Sequence, residues 1–381
     1  MLSPFYPYPP HGGALLRIWR EIQFLGARHQ LTLVCSAAES QLGPAPEELQ
    51  AYCSQVYPVP GCQDRKGQVG APDLALYHSS PEMDAICLRL AEEAWDVVMI
   101  CGIHLASQAR HFRAPVVLEE HNIESDLLRQ RVQREPDPRA RLGWKAQTML
   151  LARFEQEHWP LFSRIFTVSR PDQQHIQQVC PQVPVEVMSN GCDTERALLE
   201  LHGGRHRLLF SGRLDYAPNL EAVISLLDVV LPDLWRSHPQ TRLRLAGAQP
   251  PSWLSQRVAT DPRLELLANP EVMSECARDC SVLVVPLTSG SGSRLKILEA
   301  LSWGLPVVTT PKGCEGLEVE DGVHLLIRDD CESLARAVLT LEEDGQQWAK
   351  LRREGRRLAE ERYDWNLILE RLEQSLLAAQ Y

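Results

Sequence analysis

Apolar and polar positions along the chain keep two rhythms. Over residues 14–28, Leu15, Ile18, Ile22 and Leu25 recur at spacings of three and four, the period of one helical face. Shorter, almost uniformly apolar runs then appear at 31–35, 96–101, 114–120 and 164–169. Each is too short for a helix and rich in β-branched residues, so each predicts a buried strand. Residues 56–59 are a strand candidate inside the loop-like stretch 43–70. Residues 81–94 and 125–161 predict helices, the second interrupted near Pro136 and Pro138. The alternation restarts after Gly191, with strands predicted at 207–210, 242–246, 264–267, 281–286, 306–309 and 324–327. Helices are predicted at 218–231, 272–279, 295–303 and, for the most part, 332–362. Strands alternating with helices predict parallel α/β sheets, and the restart predicts two such units meeting near residues 175–190.

Length agrees with that division: 381 residues, at about 150 per domain, suggest two domains. A composition of 44% hydrophobic and 23% charged residues is that of a folded globular protein. The formal charge of −11 argues against a nucleic-acid partner. No apolar run approaches the ~18 residues of a membrane span. Residues 1–10 carry neither a basic flank nor an apolar core, so no secretory leader is read there and a cytoplasmic location is expected. The eleven cysteines are scattered without zinc-site spacing and are expected as reduced thiols. No Asp-x-Asp pair is present, since Asp329 and Asp330 are adjacent and read as a turn, so no metal site is expected.

In open α/β sheets, ligands sit beyond the carboxyl ends of the strands, and four loops fall there. The sharpest runs from Ser289 to Ala300 and passes from Gly and Ser residues into a helix. Small residues let backbone amides close on an anion, and a helix start adds partial positive charge. Ser293, Arg294, Leu295 and Lys296 are therefore candidate nucleotide-binding residues, with Glu299 placed to accept from a ribose hydroxyl pair. The plainer alternative is a flexible loop before an ordinary amphipathic helix. Ser211-Gly212-Arg213 follows a predicted strand, and Arg213 either meets the same phosphates or is a surface arginine. His11-Gly12-Gly13 opens the first helix, where Gly12 and Gly13 can close on a phosphate or sugar. His121, with Asn122, ends a strand where an imidazole can position or exchange protons, or can be structural.

Taken together these stretches resemble the retaining, nucleotide-sugar-dependent glycosyltransferases of family four. The resemblance rests on Ser3-Pro4-Phe5 through Gly12-Gly13, Glu120-His121-Asn122-Ile123-Glu124-Ser125, Val168-Ser169, Asn190-Gly191-Cys192-Asp193, Phe210-Ser211-Gly212-Arg213-Leu214 and Pro218-Asn219. Its most specific part runs from Gly292-Ser293-Arg294 through Leu301, Gly304-Leu305-Pro306-Val307-Val308, Gly313 and Glu315-Gly316-Leu317. It implies an α/β protein of the GT-B fold, two Rossmann-like domains facing an interdomain cleft. The domains would be an acceptor-binding one over 1–180, a nucleotide-sugar-binding one over 181–362, and a last helix within 363–381, near 365–378, returning to the first. By position, Arg213 and Lys296 would neutralise the donor's diphosphate with Arg294 helping, Glu299 would bind the ribose, Gly13 would approach the diphosphate or sugar, and His121 would line the reaction centre. Two features depart from the family pattern. Ser291 stands where the family has the first of two glutamates, which usually touches the donor sugar. Only Met1 and Leu2 precede Ser3-Pro4, where relatives have a full strand, so the central strand of the first sheet is expected to be nearly absent or to start upstream.

The implied activity is metal-independent transfer of a hexosyl group from a nucleoside diphosphate sugar, UDP- or GDP-linked, to a glycan, lipid-linked or protein acceptor, with retention of configuration. No cofactor is expected beyond that donor. A catalytically silent module of the same fold, kept as a binding partner, and a nucleotide-sugar epimerase are the alternatives. Residues 129–153 gather Arg129, Arg131, Arg134, Arg139, Arg141, Lys145 and Arg153 around Leu142, Trp144, Met149 and Leu150. This segment either is a solvated helical face or lies on the inner face of an anionic membrane.

Overall fold

A computed structural model describes residues 1–10, 12–61, 71–195, 198–199, 206–290 and 294–379. The chain divides into two compact units, Met1–Ser189 with Ile368–Tyr381, and Asn190–Leu367. The dividing line falls after Ser189 rather than at 180, because a last strand of the first sheet lies beyond Cys180. The second division falls after Leu367 rather than at 362.

Among the described residues the first unit holds seven strands: β1 (Leu2–Ser3), β2 (Thr32–Ala37), β3 (Gln55–Pro60), β4 (Val98–Cys101), β5 (Val116–Glu120), β6 (Arg164–Thr167) and β7 (Val185–Val187). They pair in the order β3-β2-β1-β4-β5-β6-β7, and every pairing is parallel. The central strand β1 is two residues long, pairing Leu2 with Val34 on one side and Ile100 on the other. It is short, as the sequence leads one to expect, yet present. Pro58 and Pro60 sit on β3 at the sheet edge, where a missing N–H costs least. The core is built from the apolar runs that predicted the strands, with Val34, Ile100, Leu118 and Ile165 buried, closed by Met83, Cys87 and Leu90 from the helix Pro81–Leu90. That helix starts at Ser80, whose side chain accepts from the Met83 amide, with Pro81 at its first position.

The second unit holds β8 (Arg207–Ser211), β9 (Arg242–Gly247), β10 (Leu264–Ala268), β11 (Val282–Val285), β12 (Val307–Thr309) and β13 (Leu326–Ile327). Their order is β10-β9-β8-β11-β12-β13, again all parallel. The helix predicted at 218–231 is realised as Ala217–Ser225, a π turn Leu226–Val230 and Leu231–Ser237. Pro232 lacks an N–H, and the wider turn before it absorbs the missing bond. The predicted helix 332–362 is split at Asp344, whose carboxylate caps the amides of Gln346 and Gln347. Where the chain enters this unit, the Cys192 amide donates to the Tyr363 carbonyl at 2.7 Å, and the Trp365 amide donates to the Cys192 carbonyl at 3.1 Å. The entering and leaving segments are thus laced together.

Ten described cysteines are free thiols, nine of them buried. Among the described residues, no helix is long and apolar enough to cross a membrane.

Candidate active site

Both sheets reverse their strand order beside their first strand, between β1 and β4 and between β8 and β11. Such reversal points leave a crevice at the carboxyl edge of the sheet where helices diverge. In the second unit Gly212, Lys296 and Glu299, of the residues singled out above, come together there. β8 ends at Ser211, and Gly212 follows with φ 141°, a backbone conformation that side chains rarely adopt. Space makes the same demand: a Cβ on Gly212 would stand 2.8 Å from Lys296 Nζ and 2.9 Å from Asn219 Nδ2.

Lys296 is the second residue of the helix Leu295–Trp303 and Asn219 the third of Ala217–Ser225. Lys296 Nζ donates to Asn219 Oδ1 at 2.7 Å, and Asn219 Nδ2 donates to the Arg213 carbonyl at 2.8 Å. One buried amide therefore holds the lysine and the loop after β8 together. The ammonium also lies 4.3 Å from the centroid of the buried Phe210 ring. Burial and the nearby Arg294 push the Lys296 ammonium down to about 7, with Glu299 opposing them. Glu299, one turn further along the helix, is pushed up to about 7 by burial, with Lys296 opposing. A lysine and a carboxyl both near neutrality are a pair that a bound dianion and ribose would set into their charged forms.

Arg294 is buried, and its NH2 donates to the carbonyls of Gly290 and Lys312, each at 3.1 Å, with Glu315 at 3.8 Å. Burial lowers its pKa. Its guanidinium ties the loop after β11 to the turn after β12. In the same loop, Ser289 Oγ donates to Glu221 Oε2 at 2.9 Å. Arg213 stands differently. Its side chain is 54% exposed and donates twice to Asp215, at 3.0 and 2.6 Å. The carbonyl of Arg213, rather than its guanidinium, joins the Lys296 group. Leu295 is half-buried at the helix start, while Ser291, Gly292 and Ser293 lie outside the described residues.

In the first unit, Gly12 has φ 117° and caps the helix Gly13–Gly26, whose first residue, Gly13, is exposed. His11 lies outside the described residues. His121 follows β5 directly, with Nε2 at 2.9 Å from Glu119 Oε2. Glu119 is buried and also accepts from Arg17 Nε.

Asn219, Phe210, Arg17 and Glu119 were not among the residues picked as candidates. Glu119 could have been found, since a charge inside the apolar run Val116-Val117-Leu118 asks for a buried partner. Arg17 and Glu21 are four apart on one helix, a spacing common to surface ion pairs, but the fold buries both.

Two family models match the chain: Glycosyltransferase Family 4 over residues 11–196 and Glycosyl transferases group 1 over residues 205–344. No curated protein sequence matches it. Among solved structures, HepE from Anabaena in complex with UDP is 17% identical with a TM-score of 0.70, covering 99% of both chains. Sucrose-phosphate synthase from Thermosynechococcus elongatus is 14% identical with a TM-score of 0.73, over 99% of this chain and 98% of that one. A glycosyltransferase from Rickettsia africae is 10% identical with a TM-score of 0.68, over 99% and 98%. Two doubly wound parallel sheets, shared end to end with these structures, define a GT-B protein with two Rossmann-like domains. The chain belongs to the family-four, group 1 glycosyltransferases, enzymes that transfer sugar from nucleotide-sugar donors.

Proposed function

We propose that the enzyme moves a hexosyl group from a UDP- or GDP-linked sugar to a glycan, lipid-linked or protein acceptor, with retention of configuration and without a metal ion. The observation that carries this reading is the Lys296–Asn219–Gly212 cluster at the reversal point of the second sheet. It offers a half-buried cation where a diphosphate would leave, beside a glycine whose backbone conformation is strained for any other residue. HepE, which shares the fold along its whole length, has been crystallised with UDP and with UDP-glucose, and this supports a nucleoside diphosphate sugar as donor.

As the bond between the sugar's anomeric carbon and the diphosphate breaks, charge grows on the departing phosphate. Fixed cations and dipoles aimed at that charge are often the largest contribution to catalysis. Lys296 is assigned that role, with Arg294 holding the loop and Arg213 joining once freed from Asp215. Glu299 is assigned to the ribose, and the amides near Ser293 and Leu295 to the phosphates. The acceptor oxygen forms the new bond on the face the diphosphate leaves, and its proton passes to a departing phosphate oxygen. In the first unit, Gly12, Gly13 and His121 are assigned to the transferred sugar. Residues 129–153 are assigned to an anionic membrane bearing a lipid-linked acceptor. In support, Leu142 and Met149, seven apart on the helix Pro138–His158, are 70% and 75% exposed.

Thermal-shift measurement against UDP-, GDP- and ADP-sugars tests the donor class, since a ligand at 100 times its Kd stabilises by about 2.7 kcal/mol. The matching donor should then be turned over at an undiminished rate in excess chelator, with an α-linked donor giving an α-linked product. Binding without turnover, or a rate restored only by added divalent metal, would overturn the corresponding part of the reading.

A further inference from the structure

Beneath the carboxyl edge of the first sheet lies a buried charged group that the donor site does not use. The Arg17 side chain reaches two carboxyls and two backbone carbonyls. Its Nε meets Glu119 Oε1 and stands 3.0 Å from Glu21 Oε1, while its NH1 donates to the carbonyls of Met188 and Ser189 at 2.8 and 2.9 Å. Arg17, Glu21 and Glu119 are all at most 1% exposed. The other oxygen of Glu119 faces His121 Nε2 at 2.9 Å. Residues 119 and 121, two apart at a strand end, point to the same face. Carboxyl and thiol atoms of Glu21, Glu119 and Cys101 lie within 4.8 Å of one another, close enough to share a metal. The Arg17 guanidinium already contacts both carboxyls, so the cation of this cluster is its own arginine.

The charges sort themselves. Burial raises Glu21 well above the usual carboxylate range, helped by the neighbouring Glu119, so Glu21 keeps its proton. Burial works on Glu119 too, but the charge of Arg17 opposes it, with the hydrogen bond from His121 adding to that, and Glu119 is held well below that range, as a carboxylate. A buried ion pair is seldom a net source of stability, so its presence beside a half-buried histidine calls for another role.

We propose that Glu119 and Arg17 are positioning residues that fix His121 as its Nε2–H tautomer, leaving the Nδ1 lone pair as the face offered to a substrate hydroxyl. This rests on the reading above, in which His121 serves the transferred sugar. The logic is one of donors and acceptors. Arginine only donates, so Glu119 Oε1 must accept from it. The second oxygen of an ionised carboxylate also only accepts, so His121 must present N–H at Nε2. In Glu119→Gln the amide keeps its size but has one oxygen. Arg17 claims that oxygen, the NH2 turns to His121, and Nε2 is forced to accept. The ring then carries its proton on Nδ1 and offers a donor where the wild type offers an acceptor.

Long-range nitrogen–proton NMR of the His121 ring, with His121→Gln to assign it, tests this directly. The wild type should show the Nε2–H form and Glu119→Gln the Nδ1–H form. With the matching donor, Glu119→Gln should lose about 10- to 100-fold in kcat, the usual effect of losing a carboxylate that orients a histidine, while donor KM stays within about twofold. An Nδ1–H or mixed ring in the wild type overturns the proposal, and so does a Glu119→Gln enzyme with undiminished kcat. If Glu119→Gln does not fold, the wild-type tautomer alone decides. If the wild type transfers no sugar from any donor, the functional reading falls while the tautomer measurement still judges this assignment.

Discussion

Lys296 Nζ and Asn219 Oδ1 are 2.7 Å apart, and the other end of the same amide holds the Arg213 carbonyl. A cation presented on a helix start is thereby fixed against the loop that follows the central strand of the second sheet. Lys296→Ala should cost on the order of 2 kcal/mol or more of transition-state stabilisation, read as a fall of about 30-fold or more in kcat/KM. Asn219→Ala, which leaves the charge but loosens it, should lose less. Equal kcat/KM in wild type and Lys296→Ala would remove the lysine from the reaction.

The same lysine makes nucleotide binding depend on pH. With its pKa lowered to about 7, it is neutral in the free protein above that pH, and a bound diphosphate favours the ammonium. Binding should therefore take up a proton above pH 7, and Kd for the nucleoside diphosphate should rise by up to about tenfold per pH unit there. Glu299, at about 7, acts in the other direction, since its carboxylate is lost as pH falls below that value. Calorimetry in two buffers of different ionisation enthalpy checks the uptake, and Lys296→Met should abolish it.

A depressed lysine also has a stability signature. Between about 7 and the ordinary value of 10.5, the unfolded chain binds the proton that the folded one has released, so this group makes stability rise with pH across that window. Lys296→Met removes the opposing term and should raise the Tm of the ligand-free protein near pH 7 while abolishing turnover, the trade-off expected of a functional site. A lower Tm for this variant would contradict the account.

Gly212→Ala should fail for two reasons acting together. The φ of 141° is strained for alanine, and the added methyl meets Lys296 Nζ and Asn219 Nδ2. A loss of about 1–3 kcal/mol in stability is expected, with a loss of nucleotide affinity beyond it. Chemical denaturation and titration of the nucleoside diphosphate measure the two effects separately.

For residues 129–153, co-sedimentation with vesicles of anionic lipid should show binding that weakens with salt and is lost in Leu142→Glu/Met149→Glu. Several of their cations are already engaged: Arg131 lies over the Trp144 ring at 3.7 Å, and Arg153 pairs with Glu157 at 2.6 Å. Lipid contact would therefore lean on the exposed Leu142 and Met149 with Arg139 and Lys145. No sedimentation with anionic vesicles would dismiss this contact.

Much of the fold was legible because parallel sheets bury both faces, so their strands appear as apolar runs, and β4, β5, β8, β11 and β12 all lie within or close to such runs. The strand β7, three residues with Glu186 at its centre, carries no such signal, and missing it displaced the expected domain boundary. At the site, residues with unusual local chemistry, Gly212, Lys296 and Glu299, could be picked from spacing. Arg213 could be picked too, but spacing does not reveal that Asp215 takes its guanidinium. Asn219 and Arg17 act through partners 77 and 102 positions away, which only the folded chain brings to them.

The lacing of Cys192 to Tyr363 and Trp365 has a bearing on how this molecule can be dissected. It makes residues 190–367 a cassette whose two ends emerge side by side. Such a piece can be excised with neighbouring termini, or its ends joined and reopened elsewhere by circular permutation. The remainder cannot be made by simple truncation, because Ile368, Leu369, Leu372 and Leu376 are buried residues that a fragment ending at Ser189 would lack. A splice that carries the terminal helix back onto Ser189 is what a stand-alone first domain requires.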